Sequence, residues 1–434
     1  GWAFCASARA SLLTGLSDCH RGGFTFASGG TYHAYTAGRI TLEQLSELIQ
    51  SNSLQETPDT VFLPQMARQA GYVTAQIGKL EWGFATTARR LERHGWDYHY
   101  GYYDHAQCHG FWPPYVFEQG RRVDIPGNTR ENFGKMPEFE SPENREKRWD
   151  FTGRAVYSQD LFDEKIVAFL RSHRDEPFFL FHPSQLPHGP IAVDAIDPAV
   201  ADCDELTDYE KEYASMVLRL GRTVGLILDE LERLGMDDRT AVIFCSDNGH
   251  ETYYRQEGRC DGGRNVRTGE KYDDVTRKFY SELSGDVFDG NDGMAGKKRS
   301  SLEGGVRIPY LVRWPGKVAA GQVNEHFCAN YDFMPTLAEM IGAEMPPGKD
   351  GLSFAPTLLG DDDRQGRHEA IFFASGHGPA LATPEGWKLR FLRMPGKNGY
   401  QLYNLAEDYR EERDLAWEAR EVTQRLSTAL LSAC

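Results

Sequence analysis

The chain has 434 residues, of which 40% are hydrophobic and 26% are charged, a globular composition that excludes an intrinsically disordered protein. The formal net charge of −16 argues against a protein that binds nucleic acid or an anionic membrane. An anionic substrate is not excluded, because a pocket can be locally basic. No apolar run reaches the roughly 20 residues that a membrane-spanning helix needs.

Helix and strand patterns alternate through most of the chain. In chain order the predicted elements are a helix over 60–70, a strand over 72–77, a helix over 161–171, a strand over 178–181, a helix through 220–231 and a strand over 240–245. The short apolar strands are typical of a sheet that is buried on both sides. The alternation therefore predicts an α/β fold with helices on both faces of a sheet.

Two polar stretches, residues 118–150 and 255–296, interrupt the alternation and are predicted to be long insertions. From about residue 361 the pattern changes to short strands followed by one helix. The strands are predicted over 370–373, 387–392 and 400–403, and the helix over about 418–431. This pattern indicates a small antiparallel sheet with a helix, in a C-terminal subdomain over residues 361–434.

The eight cysteines are scattered, and none belongs to a C-x-x-C pair, so a structural zinc site is not expected. Their number is too low for a disulfide scaffold, although one or two disulfides remain possible. A signal peptide is not observable in a chain that starts at Gly1 without a Met.

Polar residues follow several of the predicted strands, where ligands of α/β sheets bind. Asp247 and Asn248 offer oxygen ligands for Ca²⁺ or Mg²⁺, although Asp-Asn-Gly is also common in turns. His188 lies between two prolines and suits either a positioned acid or base or a structural histidine. Lys79 lies just past a strand and Lys298 lies before one, and a solvated lysine is the ordinary interpretation of both.

Cys5 lies at or near the start of a predicted helix, where the helix dipole would favour a thiolate. Arg9 is one turn further along and would face the same side. A thiol nucleophile, a buried structural cysteine and a modification site all remain open at this point.

Taken together, these segments resemble a type I, formylglycine-dependent sulfatase of the alkaline-phosphatase superfamily. The matching motifs are Cys5–Gly15, Gly78-Lys79, Pro187-His188, Asp247-Asn248-Gly249, and Lys298 with residues 303–309; further family-like stretches are 95–104, 312–316, 332–336 and 400–415. The resemblance runs over nearly the whole chain. It implies an alkaline-phosphatase-like fold with a large mixed, mostly parallel sheet, and a catalytic domain over residues 1–360.

The resemblance also implies catalytic roles. Cys5 would be oxidised by a formylglycine-generating enzyme to formylglycine, the nucleophile that attacks the sulfate ester. Arg9 would hold this group, and Lys79 and Lys298 would bind sulfate oxygens. His188 would protonate the leaving group. The implied activity is the hydrolysis of sulfuric esters.

A metal ion is implied as well. Asp247, Asn248 and the modified Cys5 match the ligands of a bound Ca²⁺, with Mg²⁺ as an alternative. The substrate implied is a sulfated small molecule or glycan, with a sulfated carbohydrate favoured, because the segment with His105 and His109 resembles one in relatives that act on sulfated sugars. These histidines would bind the substrate, and Phe111, Trp112 and Tyr115 would either stack on a sugar ring or form a packed aromatic loop.

The chain departs from the family pattern in three places. Ser7 stands where the family motif usually has Pro or Ala, and Glu81 stands where it often has His or Gly. The family's first strand and its paired metal-binding aspartates precede the cysteine, and this chain has no such segment. We therefore expect a chain that lacks its beginning, binds Ca²⁺ weakly and is inactive in this form.

Two alternatives to a sulfatase follow from the resemblance and its departures. One is a phosphonate or phosphate ester hydrolase of the same superfamily. The other is a relative that binds sulfated glycans without cleaving them, which the departures at Ser7 and Glu81 would fit. The family resemblance implies a periplasmic, secreted or lysosomal location.

Overall fold

The computed structural model describes residues 3–20, 30–51, 60–129, 142–254, 260–261, 264–265, 268–271, 277–376, 378–393 and 398–433. The chain forms two compact units, which we call the discontinuous unit (Gly1–Phe24 with Ala241–Cys434) and the central unit (Thr25–Thr240). The predicted boundary between residues 360 and 361 falls inside the discontinuous unit and stays a prediction.

The helices of the described residues are α1 (Cys5–Thr14), α2 (Thr31–Thr36), α3 (Leu42–Ser51), α4 (Leu63–Gln69), α5 (Ala88–Arg93), α6 (Pro142–Arg148), α7 (Ser158–Ser172), α8 (Pro198–Ala201), α9 (Asp208–Arg233), α10 (Glu303–Val306), α11 (Phe333–Ile341), α12 (Ala355–Leu358) and α13 (Arg420–Ala433). The strands are β1 (Val73–Gly78), β2 (Tyr98–Gly101), β3 (Tyr115–Glu118), β4 (Arg121–Asp124), β5 (Phe178–Phe181), β6 (Val242–Cys245), β7 (Cys260–Asp261), β8 (Arg264–Asn265), β9 (Tyr310–Arg313), β10 (Ile371–Phe373), β11 (Ala380–Ala382), β12 (Trp387–Leu392) and β13 (Gly399–Asn404).

The central unit contains a five-stranded mixed sheet in the order β4-β3-β2-β1-β5. Strand β1 pairs in parallel with both β2 and β5, as the alternation of helices and strands predicts. Strands β3 and β4 form an antiparallel hairpin at the edge. The stretch over 118–150, expected to be an insertion, therefore supplies an edge strand and helix α6 in its described part.

Aromatic residues fill the core of the central unit. Trp96 stacks on Phe179 and Phe181 of β5, with ring centroids 5.9 and 6.0 Å apart. Phe169 of α7 meets Phe178 edge to face at 5.8 Å. The apolar run of β5 thus forms a strand whose side chains pack on both a neighbouring loop and a helix. In this sheet, however, β5 lies at the end of the strand order and its residues are half-buried, so the fully buried strand expected from the sequence is not what the described residues show.

The discontinuous unit holds a pair of antiparallel strands, β6 with β9, and an antiparallel sheet in the order β10-β11-β12-β13. Leu426 and Leu430 of α13 pack on a cluster of leucines from this sheet. The predicted C-terminal sheet and helix are therefore present. Strand β11 (Ala380–Ala382) escaped prediction because three residues without a β-branched or aromatic side chain carry little strand signal.

None of the helices in the described parts of the chain is long and apolar enough to cross a membrane.

Candidate active site

The residues singled out from the sequence divide between the two units. The discontinuous unit contains Cys5, Arg9, Asp247, Asn248 and Lys298. The central unit contains Lys79, His105, His109 and His188. Their chemical roles remain predictions, while their positions follow from the structure.

Cys5 is the first residue of α1, as predicted, and its thiol is unpaired with another cysteine and 1% exposed. The alanine-rich sequence favours the helix, and Phe4 enters it in an extended conformation. The helix ends at Gly15, which adopts the left-handed conformation with φ of 67°. All of α1 is buried, so Cys5 sits at the N-terminal end of a helix that is fixed on every side.

Arg9 lies one turn after Cys5 and points back toward it. Its Nε donates a hydrogen bond to the Cys5 carbonyl oxygen at 3.0 Å. Its Nη2 is buried and has no hydrogen-bond partner among the described residues. A buried guanidinium nitrogen without a partner is costly, and an anion beside the start of α1 would satisfy it.

Backbone hydrogen bonds join three of the predicted segments. The amide of Arg299 donates to the Ala3 carbonyl oxygen at 2.6 Å, two residues before Cys5. The amide of the preceding residue, Lys298, donates to the His250 carbonyl oxygen at 2.9 Å. The segments that carry Cys5, Lys298 and the Asp-Asn pair therefore meet in one unit, although they are distant in the sequence.

Glycines allow these segments to approach so closely. Gly249 donates its amide hydrogen to the Gly305 carbonyl oxygen at 2.8 Å. A Cβ atom at Gly249 would lie 2.0 Å from the Gly304 oxygen, and a Cβ atom at Gly304 would lie 2.4 Å from the Gly296 oxygen. The Glu-Gly-Gly motif at 303–305 is thus needed for backbone packing around the predicted metal ligands.

Asp247 and Asn248 lie two and three residues after the carboxyl end of β6. The side-chain nitrogen of Asn248, Nδ2, donates a hydrogen bond to the Gly249 carbonyl oxygen at 2.9 Å. The side-chain oxygen therefore points away from that carbonyl group. That oxygen, Oδ1, is buried and has no hydrogen-bond partner among the described residues. Burial, with the charge of Asp247 nearby, raises the pKa of the Cys245 thiol to about 12. An orphaned amide oxygen next to a carboxylate fits a hard cation such as Ca²⁺.

Lys298 is 5% exposed, and its ammonium group lies 3.4 Å from the Tyr253 hydroxyl. The neighbouring Lys297 forms a buried ion pair with Glu251, with 2.7 Å between Nζ and Oε1. The carboxylate of Glu251 and the hydroxyl of Tyr253 thus hold two consecutive lysines of this loop.

Lys79 directly follows β1 in the central unit and is 3% exposed. Its amide donates to the Pro183 carbonyl oxygen at 2.8 Å, which ties it to the loop after the parallel strand β5. Its ammonium group forms no ion pair in the part of the chain that the structure describes. A buried ammonium group at the carboxyl end of a strand fits an anion-binding role better than the solvated lysine that the sequence also allowed.

The carboxylate of Glu81 is buried, and its two oxygens have separate partners in the core. His94 Nδ1 lies 2.6 Å from Oε1, and the Trp96 indole N–H donates to Oε2 at 2.8 Å. Glu81 and His94 are both buried. Glu81 departs from the family pattern, but its carboxylate has a structural role in the core. It is therefore not a reason to expect weak binding of an anionic substrate.

Three histidines of the central unit, His105, His109 and His188, form a row of rings. His109 stacks on His188 with 4.5 Å between ring centroids, and His105 meets His109 edge to face at 4.4 Å. His188 Nδ1 lies 2.6 Å from the Gly189 carbonyl oxygen, an acceptor, so Nδ1 must carry a hydrogen. In the neutral ring, the hydrogen therefore lies on Nδ1 and the lone pair on Nε2.

The predicted sugar-stacking aromatics do not fit that role. Phe111 and Trp112 are each 1% exposed, and both rings contact Tyr157 at 5.2 and 5.3 Å between centroids. Tyr115 is 2% exposed. These rings belong to the core of the central unit, so the packed aromatic loop is the correct interpretation.

Two residues near the histidine row were missed from the sequence. Gln185 donates through Nε2 to the carbonyl oxygens of Cys108 and Gly110, at 2.6 and 2.9 Å, and so joins the His109 turn to the His188 loop. Cys108 lies between the histidines, with ligand atoms of His105, Cys108 and His109 all within 4.8 Å of one another. The His-x-x-Cys-His spacing was a visible signal, whereas nothing local could reveal Gln185.

Comparison with known families gives two overlapping matches. The family described as Sulfatase matches residues 3–343, which is more than half of the chain. The family described as N-sulphoglucosamine sulphohydrolase, C-terminal, matches residues 293–432. Together the two matches cover the segments that carry every predicted site residue.

Among curated proteins, the human N-acetylgalactosamine-6-sulfatase is 30% identical to this chain over 392 residues. The match covers 89% of this chain and 62% of the human protein, so the chain spans less than two thirds of that relative's length.

Solved structures share the fold. A protein from work on the metabolism of multiple glycosaminoglycans by Bacteroides thetaiotaomicron matches with a TM-score of 0.68 and 22% identity, over 99% of this chain and 89% of the other. A second structure, described as a complex with its substrate D-glucosamine-2-N,6-O-disulfate, matches with a TM-score of 0.61 and 17% identity, over 99% and 87%. The expected alkaline-phosphatase-like α/β fold is thereby confirmed.

Proposed function

The chain belongs to the sulfatase family, and from that premise we propose that it hydrolyses sulfuric esters of carbohydrates. One structural observation carries the proposal: the Cys5, Lys298 and Asp247-Asn248 segments are joined by backbone hydrogen bonds in one unit. The names of relatives support a sulfated sugar as substrate, since the human relative is an N-acetylgalactosamine-6-sulfatase and a solved relative binds a glucosamine disulfate.

Cys5 is proposed as the source of the nucleophile, after oxidation to formylglycine by a maturation enzyme. Formylglycine would supply a hydrated aldehyde, one hydroxyl of which attacks sulfur while the other later permits release of the sulfate. Its position at the start of a rigid helix suits this role, because the reacting atom is held in place. Arg9 would orient it through the buried Nη2, which has no partner among the described residues.

The charged residues are proposed to bind the sulfate. Lys79 and Lys298 would each contact sulfate oxygens, where positive charge stabilises the negative charge of the transition state. Asp247 and Asn248 would hold Ca²⁺, with Mg²⁺ as an alternative, and the orphaned Asn248 Oδ1 fits such a ligand. A bound divalent cation would supply further charge that polarises the sulfate.

His188 is proposed to protonate the leaving alcohol. The hydrogen bond from Nδ1 to the Gly189 carbonyl oxygen supports Nε2 as the nitrogen that would transfer the proton. His105 and His109, whose rings adjoin His188, would bind hydroxyl or sulfate groups of the sugar. These polar side chains, rather than the aromatic rings that pack on Tyr157, would then select a carbohydrate.

We further propose that the protein acts outside the cytoplasm, in the periplasm or after secretion. Cys19 is disulfide-bonded, and disulfides persist mainly in oxidising compartments. Cell fractionation tests this location, which would be wrong if the folded protein were recovered with its cysteines reduced from the cytoplasm.

The test of the activity begins with the protein produced from its complete gene together with a formylglycine-generating enzyme. Mass spectrometry of the Cys5 peptide is expected to show formylglycine, and an aryl sulfate is expected to be turned over faster than the matched aryl phosphonate. Cys5→Ala should abolish turnover, whereas Cys203→Ser, a change at another free cysteine, should leave it intact.

Three results would contradict the proposal in different ways. A faster reaction with the phosphonate would identify the superfamily's phosphonate hydrolase activity instead. A modified Cys5 without turnover of any ester, but with binding of sulfated glycans, would identify a binding protein. An unmodified thiol together with turnover that survives Cys5→Ala would exclude Cys5 as the nucleophile.

A further inference from the structure

A thiol and two imidazoles come together in the central unit in a manner that the sulfatase reaction does not require. The ligand atoms of His105, Cys108 and His109 lie within 4.8 Å of one another, and all three residues are buried. They fall at positions i, i+3 and i+4, and Cys108 and His109 belong to one short helical turn, Gln107–His109. This spacing places the three side chains on the same side of the chain.

The backbone of this turn is fixed by two other residues. Asp104 Oδ1 accepts hydrogen bonds from the amides of Ala106 and Gln107, at 2.8 and 3.4 Å. Gln185 Nε2 binds the carbonyl oxygens on either side of His109, those of Cys108 and Gly110. The backbone that carries the three ligand side chains is therefore already ordered. Metal binding would then cost less conformational entropy.

We propose that His105, Cys108 and His109 form a binding site for a thiophilic divalent metal ion, for which Zn²⁺ is the reference. Imidazole nitrogen and thiolate sulfur suit Zn²⁺ and similar ions, whereas Ca²⁺ takes oxygen ligands such as those of Asp247 and Asn248. Zinc–ligand distances of about 2.0–2.3 Å require the three donor atoms to draw closer than 4.8 Å, by small side-chain rotations. Three protein ligands leave a fourth position for water or another ligand.

Binding would release one proton. The Cys108 thiol now donates to the His105 carbonyl oxygen at 3.0 Å, and the metal would replace that proton as the thiolate forms. The metal would also engage His105 and His109, so Zn²⁺ is expected to inhibit turnover of a sulfated sugar. That consequence rests on the proposed function, whereas the binding itself does not, and binding is therefore measured directly.

The experiment uses Co²⁺ as a spectroscopic substitute for Zn²⁺ on the chelator-treated protein. One equivalent of Co²⁺ is expected to produce a thiolate-to-cobalt charge-transfer band and the strong visible bands of a tetrahedral site, and Zn²⁺ should abolish both. Cys108→Ser should remove the charge-transfer band and weaken Zn²⁺ binding by at least about ten-fold, measured by calorimetry. Cys203→Ser, which removes a free cysteine elsewhere in the central unit, should change neither.

The following outcomes would contradict the proposed metal site. Absence of the charge-transfer band in the folded wild-type protein would overturn the proposal, and so would its persistence in Cys108→Ser. If circular dichroism shows that Cys108→Ser does not fold, His105→Gln replaces it, because this variant keeps the thiol and removes one nitrogen ligand. Unchanged cobalt bands and Zn²⁺ affinity in folded His105→Gln would likewise overturn the proposal.

Discussion

A single carboxylate, Glu81, shows how a residue near a predicted anion site can be structural. Its oxygens bind His94 and the indole of Trp96, and all of these groups are buried. Glu81→Ala would leave both donors without an acceptor in the core. We expect the free energy of unfolding to fall by on the order of 3 kcal/mol, as measured by urea denaturation.

The control for this change is Glu92→Ala, because Glu92 is an exposed glutamate nearby in the sequence, on α5. That substitution should alter the stability by less than about 0.5 kcal/mol. An effect of Glu81→Ala no larger than that of the control would mean that the buried contacts with His94 and Trp96 contribute nothing to stability.

Asn248 gives a second prediction, about metal binding. Asn248→Ala removes the hydrogen bond from Nδ2 to the Gly249 carbonyl oxygen but none at Oδ1 among the described residues, so in the presence of a chelator it should lower the free energy of unfolding by no more than about 1 kcal/mol. With Ca²⁺ at about 100 times its Kd, the wild-type protein should gain about 2.7 kcal/mol of stability. The variant should lose most of that gain, as measured by thermal unfolding with and without Ca²⁺.

The matched variant is Asn324→Ala, which removes an exposed asparagine of the same unit. It should retain the full Ca²⁺-dependent stabilisation. If Asn248→Ala retains it too, then Asn248 is not a ligand, and its orphaned oxygen needs another explanation.

At the scale of elements, the strands that could be predicted are those whose sequence carries its own signal. Strand β5 is a run of four apolar residues, and helix α4 is followed, two residues after its last residue Gln69, by Gly71 with a φ of +88°. Strand β11 has no such run, and β4 reads Arg-Arg-Val-Asp, an edge strand with exposed polar residues. Both form because neighbouring strands provide hydrogen-bond partners, which is information that local sequence does not contain.

The candidate site also combines features that the local sequence predicts with features that it does not. The family motifs gave the positions of Cys5, Lys298 and Asn248, because those residues stand in recognisable local contexts. Their meeting depends on backbone bonds from Arg299 to Ala3 and from Lys298 to His250, which join segments about 300 and 50 residues apart. The inward turn of Glu81 was equally hidden, since it depends on partners beyond its own loop.

Strand β12 carries a buried charge cluster that makes stability depend on pH. Lys388 lies 2.6 Å from Glu303 and 3.3 Å from Glu411, and all three are buried. Burial raises the pKa of Glu411 to about 6, and the like charge of Glu303 adds to the shift. Burial also acts to raise the pKa of Glu303, but Lys388 and Arg307 hold it below its ordinary value. Lys388 is therefore the shared cationic partner of Glu303 and Glu411, two carboxylates whose pKa values are shifted in opposite directions.

Because the folded-state pKa of Glu411 exceeds its ordinary value of 4.5, folding binds a proton at this residue. Its contribution to stability is fully present below about pH 4.5 and is lost as the pH rises through about 6, a difference on the order of 2 kcal/mol. Glu411→Gln mimics the protonated acid and should lack this loss. Relative to wild type, the variant should therefore gain on the order of 2 kcal/mol between pH 4.5 and pH 7, measured by urea denaturation.

The exposed neighbour Glu412 provides the comparison, since Glu412→Gln should follow the wild-type pH dependence. The interpretation of the cluster would be wrong if the stability difference between Glu411→Gln and wild type were the same at both pH values.

At the scale of the whole molecule, the net charge of −16 coexists with a proposed site for an anion. In the proposal, Arg9 and Lys298 of the discontinuous unit and Lys79 of the central unit would supply the positive charge that binds sulfate, and two acids close to them in the sequence have partners of their own. Glu81 is paired with His94, and Glu251 with Lys297. Local charge can therefore favour a sulfate group at short range while the chain as a whole repels a polyanion at long range.

Attraction at short range and repulsion at long range predict opposite salt effects for small and large substrates. The Debye length falls from about 30 Å at 0.01 M salt to about 8 Å at 0.15 M, so added salt screens repulsion by the distant acidic surface before it screens contacts inside a buried site. The KM for a long, multiply sulfated glycan should fall several-fold over that range, measured by steady-state kinetics. The KM for a singly sulfated monosaccharide should stay constant or rise, because it meets mainly the local cations. A KM for the polymer that rises steeply with salt would mean instead that a basic surface, extending beyond these three residues, attracts the chain of the glycan.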